Sequence, residues 1–287
     1  MSKPSETRPP LFGDSLAAVP EPHTSPEPGG WHRLKIKDRG DGWKVFGFVS
    51  DTHLCSKHYR PDVLKALYSW FAREGVSEVF HGGNWIEGQA KLNQHDVAVF
   101  GLDAQLRFFI EQYPQEKGIT THYIAGDDHE GWYQQREVFS IGEALQSKAH
   151  SMGRRDLHYL GYVEADVELA GSRGSAVMRI MHGGGGSAYA ISYRPQKIVE
   201  SWTGGEKASV LLLGHYHKIS YNLTRNVHVV QGGCTADQSI FMRKKSIEAH
   251  VGGCLVRLRQ GKAGAITEFV PHFRTFFDKG FYARHYD

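Results

Sequence analysis

Cysteine is scarce in this chain, with only Cys55, Cys234 and Cys254 among 287 residues. Three thiols without paired spacing exclude a disulfide framework and a cysteine-built zinc site, and they fit a reducing compartment. No apolar run approaches the roughly 18 residues of a membrane span. The opening residues, MSKPSETRPP, hold no apolar signal core, so the expectation is a cytoplasmic protein without membrane association. A strong charge of either sign is also missing: the formal net charge is +3. That balance permits an anionic substrate without pointing to nucleic acid by itself. Internal repeats are absent, which excludes solenoids and propellers.

What the chain has is histidine, seventeen in all, the first compositional sign of metal chemistry. Hydrophobic residues make up 40% and charged residues 23%, as in an ordinary globular protein. Residues 1–30 are rich in Pro, Ser, Glu and Gly and are too polar to form a core, so they are expected to be a disordered tail or linker. Residues 31–287 are expected to form the functional domain.

Beyond Trp31, short apolar runs alternate with amphipathic ones. Strands are expected at 43–50, 77–81 and 121–126, and helices at 61–74, 95–113 and 140–152. Val63, Leu64, Leu67, Trp70 and Phe71 fall on one stripe of the first helix, which starts with Pro61. The second half is richer in strands, at 160–170, 176–182, 208–215 and 226–233. A helix at 188–202 lies among them, interrupted at Pro195. Order and composition give an α/β fold: two sheets in the middle with helices outside, a four-layer αββα sandwich with mixed sheets.

Most of these strands end in polar residues. The first ends in SDTH (Asp51, His53). The second ends in HGGNWIEG (Asn84, Glu87) and the third in GDDHE (Asp127 to Glu130). Two later ones end in MHGGGG (His182) and GHYHK (His215, His217). One histidine at a strand end is commonplace, but five clusters after five strands are not. The carboxyl ends of strands are where α/β proteins assemble sites. Mixed Asp, Asn and His ligands suit Mn, Fe, Zn or Ni. About seven of them suggest two ions sharing a bridge, the arrangement that activates water for attack on phosphorus.

This set resembles the calcineurin-like metallophosphoesterase signature: D-x-H, then G-D-x-x-[DE], G-N-H-[DE], a lone His, and G-H-x-H. The matching residues are Asp51-Thr52-His53, Gly83-Asn84-Trp85-Ile86-Glu87, Asp128-His129-Glu130, His182 and Gly214-His215-Tyr216-His217, over residues 43 to about 233. The resemblance implies a two-sheet sandwich and a dinuclear centre, with Mn foremost and Fe, Zn or Ni as alternatives. By that resemblance Asp51, His53 and His217 hold one ion, and Asp128, His182 and His215 the other. Asn84 stands at the bridge, His129 is the proton donor and Glu87 orients it.

Two positions depart from the signature. Asn84 replaces the bridging Asp, and Asp128 replaces the family's Asn. The exchange keeps the ligand charge constant, so the acidic GDDHE is read as charge compensated by a cation, with Glu130 supporting the ligands and Asp127 structural. The competing reading is that Asn84 inactivates the site.

The expected reaction is hydrolysis of a phosphate ester, foremost a phosphodiester of DNA or RNA. A small-molecule phosphomonoesterase, its pocket capped by residues 234–287, and a catalytically dead binding module are the alternatives. Glycines 183–186 either offer N–H groups to a phosphate at the following helix or simply permit a turn. Trp132, Tyr133, Tyr189 and Tyr193 could stack bases or pack in the core, the last two as helical neighbours. Basic runs at 32–39, 153–155 and 243–245 could bind phosphates or be solvated surface.

Overall fold

The computed structural model describes residues 30–277 except 35, 37, 39, 92, 138, 187 and 206. The expected tail therefore lies outside the described residues, apart from Gly30, which opens β1 (Gly30–Leu34).

Next come β2 (Lys44–Val49), α1 (Pro61–Arg73), β3 (Glu78–His81), α2 (Leu102–Gln112) and β4 (Thr120–Ala125). After these, α3 (Gly131–Glu137), α4 (Ile141–Ser151), β5 (Leu157–Tyr162), β6 (Glu164–Ala170) and β7 (Ser175–His182) follow. The last third comprises α5 (Tyr193–Ser201), β8 (Val210–Gly214), β9 (Ile219–Thr224), β10 (Val227–Gly232), α6 (Ile240–Lys244), β11 (Gly252–Gln260) and β12 (Ile266–Thr275).

The strands form two six-stranded sheets, ordered β1-β6-β7-β8-β10-β9 and β12-β11-β2-β3-β4-β5. Both are mixed: β2, β3, β4 and β5 run parallel, whereas β11 is antiparallel to β2 and β12. Phe46, Phe48, Phe80 and Ile124 of one sheet pack against Val167, Ile180, Val210 and Leu212 of the other. Helices α1, α2 and α4 cover the outer face of the second sheet through Leu64, Leu67, Phe109 and Leu145. On the far side α5 covers the first sheet, setting Val199 against Leu211, Leu213 and Val229. Four layers result, αββα, as expected. Strands buried on both faces read as continuous apolar runs, and VLLLG of β8 is buried at every position.

Local chemistry accounts for the starts of two of the helices. α1 begins with Pro61 and buries Val63, Leu64, Leu67, Tyr68, Trp70 and Phe71. α4 is capped by Ser140, whose hydroxyl accepts from Glu143 N–H.

Four expectations need correction. The helix of 95–113 starts only at Leu102, after Gly101 with φ 91°. The single strand of 160–170 is two strands in different sheets, broken at Val163, whose φ of 66° turns the chain from one layer to the other. Pro195 does not interrupt a helix. It lies in the first turn of α5, where its missing N–H has no helical partner to lose. Tyr189 precedes α5, so it shares no helical face with Tyr193; both are exposed. No helix among the described residues is long and apolar enough to cross a membrane.

Candidate metal centre

Five loops at the carboxyl ends of β2, β3, β4, β7 and β8 meet on one side of the sandwich. Their backbones are unusual. Asp51, His53, Asn84, His215 and His217 all have positive φ, between 46° and 85°, and make up five of the ten such non-glycine residues described. Each left-handed residue costs on the order of 1 kcal/mol, and such strain gathers where geometry serves a ligand.

Possible ligand atoms fall into three groups among the described residues: Asp51, His53 and His217 form the first, Asp128, His182 and His215 the second, and His53, Glu87 and His129 a third that shares His53 with the first. In the first, Nε2 of His53 and Nε2 of His217 are 3.1 Å apart, and His217 Nε2 is 3.6 Å from Asp51 Oδ1. In the second, His182 Nε2 is 3.3 Å from Asp128 Oδ1 and from His215 Nδ1, which is 3.5 Å from Asp128 Oδ2.

Outer contacts decide which nitrogens carry protons. His53 donates through Nδ1 to Glu87 Oε2 at 3.0 Å. His182 donates through Nδ1 to the Gly82 carbonyl at 2.8 Å, and His215 through Nε2 to the Gly185 carbonyl at 2.9 Å. A neutral imidazole with one nitrogen donating has a lone pair on the other. In the second set the lone pairs of His182 and His215 therefore face each other, and the inner nitrogen of His53 faces His217 in the first. Facing lone pairs need a proton or a cation between them. Divalent ions bind nitrogen at about 2.0–2.1 Å, which places neighbouring ligands roughly 2.9–3.4 Å apart. The spacing here fits.

Buried atoms without partners support the same test. Asp51 Oδ1 and Asn84 Oδ1 are both buried and accept no hydrogen bond, a costly state unless something electropositive approaches them. The other oxygen of Asp51 accepts from Ser50 Oγ at 2.5 Å and from His215 N at 2.9 Å. Asn84 lies beside the second set: a Cβ on Gly126 would come within 2.6 Å of Asn84 Oδ1 and 3.1 Å of His182 Nε2. Only glycine leaves room there. The residues of the first two groups thus fit a divalent ion each, with the amide oxygen of Asn84 beside the second.

The electrostatics follow. Burial alone would raise the Asp51 carboxyl, but His217, His182 and His53 outweigh it and hold it below the ordinary range. Asp128, although 40% of its side chain is exposed, is likewise held low, the partial desolvation that would raise it being outweighed by His129, His182 and His215. Burial pushes His217 down to about 3. Glu130 is raised to about 7, chiefly by burial. Its Oε1 accepts from Gly126 N at 2.6 Å and Asn84 N at 2.9 Å, tying the loop after β4 to the loop after β3. Asp127 contributes its carbonyl to Gln135.

His129 borders the same cleft, its ring 4.3 Å from that of His53. Its Nδ1 meets the Glu87 carbonyl oxygen at 2.9 Å, while the Glu87 carboxylate is 3.7 Å away and bonded to His53. Glu87 therefore orients His129 through its backbone and His53 through its side chain. Asn93, absent from the sequence expectation, anchors Glu87 through both its carbonyl and its Oε1. No motif flags Asn93, because it acts on a ligand's partner from a turn.

The structure does not give glycines 183–186 the phosphate-binding place at a helix start. α5 begins only at Tyr193, and the carbonyls of Gly184, Gly185 and Gly186 accept from Tyr216, His215 and Arg194. Tyr133 is a core residue. Arg154 is buried on the carbonyls of Ile110 and Tyr113, so it serves no surface patch. Arg243, Lys244 and Lys245 are exposed.

No protein-family model matches the chain, and no curated protein matches it. Among solved structures it is similar to an archaeal phosphodiesterase, at 14% identity and a TM-score of 0.43, over 80% of this chain and 99% of that one. It is also similar to Vps29 of Entamoeba histolytica complexed with zinc, at 12% identity and 0.41, over 82% and 94%. A third is the E. coli phosphoesterase YfcE, at 14% and 0.40, over 79% and 98%. Likeness of this degree assigns no activity to this chain.

Proposed function

We propose that the chain is a metal-dependent phosphoesterase of the calcineurin-like type, acting on phosphodiesters, with DNA or RNA as the substrate class. The observation that carries this reading is the pair of Asp-His-His sets with inner ring nitrogens facing one another across 3.1 and 3.3 Å. Asp51, His53 and His217 would hold one ion, Asp128, His182 and His215 the other, with Asn84 Oδ1 as the neutral oxygen shared between them; Mn is the first choice for both. When bound, such ions draw electron density from a phosphate ester and acidify water.

The chain's own groups supply the rest. Asp51 and Asp128 bring two negative charges, the number that the common Asp-plus-Asn arrangement brings with its own two carboxylates. Asn84 in the bridge is thus balanced by Asp128 instead of leaving the site a charge short. His129 holds its ring by the Glu87 carbonyl at Nδ1 and keeps a proton for the leaving oxygen at Nε2. Proton donation of this kind contributes about 10²–10⁴-fold. The exposed run Arg243–Lys244–Lys245 follows two residues that line the cleft, Phe241 and Met242, and supports an anionic partner.

A panel of bis-p-nitrophenyl phosphate, p-nitrophenyl phosphate and DNA, assayed with Mn, tests the reading. Diester cleavage with about two ions per chain by elemental analysis is expected. His129→Ala should keep its metal and lose about 10²–10⁴-fold on alkyl esters, less on aryl esters whose leaving groups need little protonation. Cleavage of the monoester alone would move the assignment to a phosphomonoesterase. One firmly bound ion under saturating Mn, without turnover, would leave a binding module.

A further inference from the structure

The cleft beside the ligand sets, about 380 Å³ in volume, has two unlike walls. One carries the histidines and Asp128. The other comes from residues 236–247 and presents Ala236, Phe241, Met242 and Ile247. This second wall is built rather than incidental. Ser239 caps α6 by accepting from Met242 N–H, Ile247 N–H bonds back to the Met242 carbonyl, and Gln238 Nε2 holds the Ile247 carbonyl at 2.6 Å. Met242 is buried, whereas Phe241 keeps 47% of its surface exposed. A phosphate and its ions gain nothing from such a wall. An organic group attached to the phosphate would.

The margins of the same cleft are polar. His58 stands in it with Nε2 held by Asp96 Oδ1 at 3.0 Å, and Ser56 lies next to it. These groups already pair within the protein, but Asn93 Oδ1, buried in the same lining, accepts no hydrogen bond; an acyl chain would leave it unpaired, while a flat ring with an N–H edge would satisfy it. The volume is at the small end of ligand sites, enough for one such unit and not for a duplex.

We propose that this wall is a nucleoside subsite. The phosphate end of the substrate lies at the ligand sets, and a single base lies against Phe241, Met242 and Ile247, with Asn93, His58 and Asp96 at its polar edge. The inference rests on the phosphoesterase reading and narrows it: the unit recognised is one nucleotide, free or at a chain end.

Binding tests this without turnover. The Mn-loaded protein is titrated calorimetrically with thymidine 5′-monophosphate and with inorganic phosphate. The nucleotide should bind at least about tenfold more tightly, the scale of one base–aromatic contact. Phe241→Ala should erase most of that ratio. Ile240→Ala, at an exposed neighbour outside the cleft lining, should keep it. Equal affinities in the unaltered protein, or a ratio unmoved by Phe241→Ala, would overturn the subsite. Failure to cleave any ester while the ratio holds would count against the phosphoesterase reading and leave the subsite standing. A matching kinetic arm compares thymidine 5′-(p-nitrophenyl phosphate) with methyl p-nitrophenyl phosphate, which share a leaving group. The same ratio should appear in kcat/KM and fall in Phe241→Ala.

Discussion

The two ligand sets are built from the same residue types but held very differently. In the first, the Asp51 side chain is fully buried and that of His53 is 5% exposed. All three members sit in left-handed backbone, with φ of 50°, 46° and 53°. Anchors do not separate the sets: Ser50 and the His215 N–H hold Asp51 and Glu87 holds His53, while the His129 N–H holds Asp128 and the Gly82 and Gly185 carbonyls hold His182 and His215. In the second set the carboxylate is more open: the Asp128 side chain is 40% exposed. Only His215 is left-handed there. A buried carboxylate is already ordered before a cation arrives, whereas an exposed one must be immobilised on binding. The deep set is therefore expected to hold a cation more firmly than the shallow one.

The largest test of that contrast is removal of each carboxylate. Asp51→Asn should cost the deep ion more than about 100-fold in affinity, beyond the 10–100-fold typical of a supporting partner, and take activity to background. Asp128→Asn should release only the shallow ion. Elemental analysis after dialysis distinguishes the two, and equal loss of both ions from both variants would break the contrast.

Glu87→Gln comes next. It weakens the acceptor that orients His53 without touching the shallow set, so deep-site affinity should fall about 10–100-fold. A Mn titration should then lose its tight phase and keep its weak one. A shift confined to the weak phase would mean that Glu87 serves His129 and not His53.

The subtlest test concerns the exchanged pair. If Asn84 and Asp128 divide the work of one Asp and one Asn, their substitutions should not add. The double change, Asn84→Asp with Asp128→Asn, should recover about tenfold over Asp128→Asn alone, because it returns a carboxylate to the buried loop next to Gly126. If the unaltered chain is inactive and Asn84→Asp alone switches it on, Asn84 is an inactivating residue and the charge-balance account falls.

Much of this molecule was legible before folding. Apolar runs of five or six residues and the stripe of α1 reveal their elements because burial imposes a period. The candidate ligand residues were legible for another reason. Metal chemistry restricts them to Asp, Asn and His, and the strand ends put them at recognisable spacings. Where local pattern was ambiguous, the reading failed. The residues around Val163 look like one apolar strand, and only the packing of two sheets makes that residue a corner. Residues 95–101 carry helical periodicity but are drawn into bridges and turns, Ser56 pairing with Val97 and Lys57 N–H bonding Asp96.

The sequence by itself determined the chemistry: which residues could bind a cation, the balance of charge between Asn84 and Asp128, and the alternation of strand and helix. Those depend on residue type and on spacing along one chain. Only the tertiary structure decided the pairing of Glu87 with His53, the anchoring role of Asn93, the depth of one set against the other, and the apolar wall of 236–247. Each of these depends on contacts between segments distant in sequence, and on which side of a packed interface water is left. Neither quantity is written in any local stretch of residues.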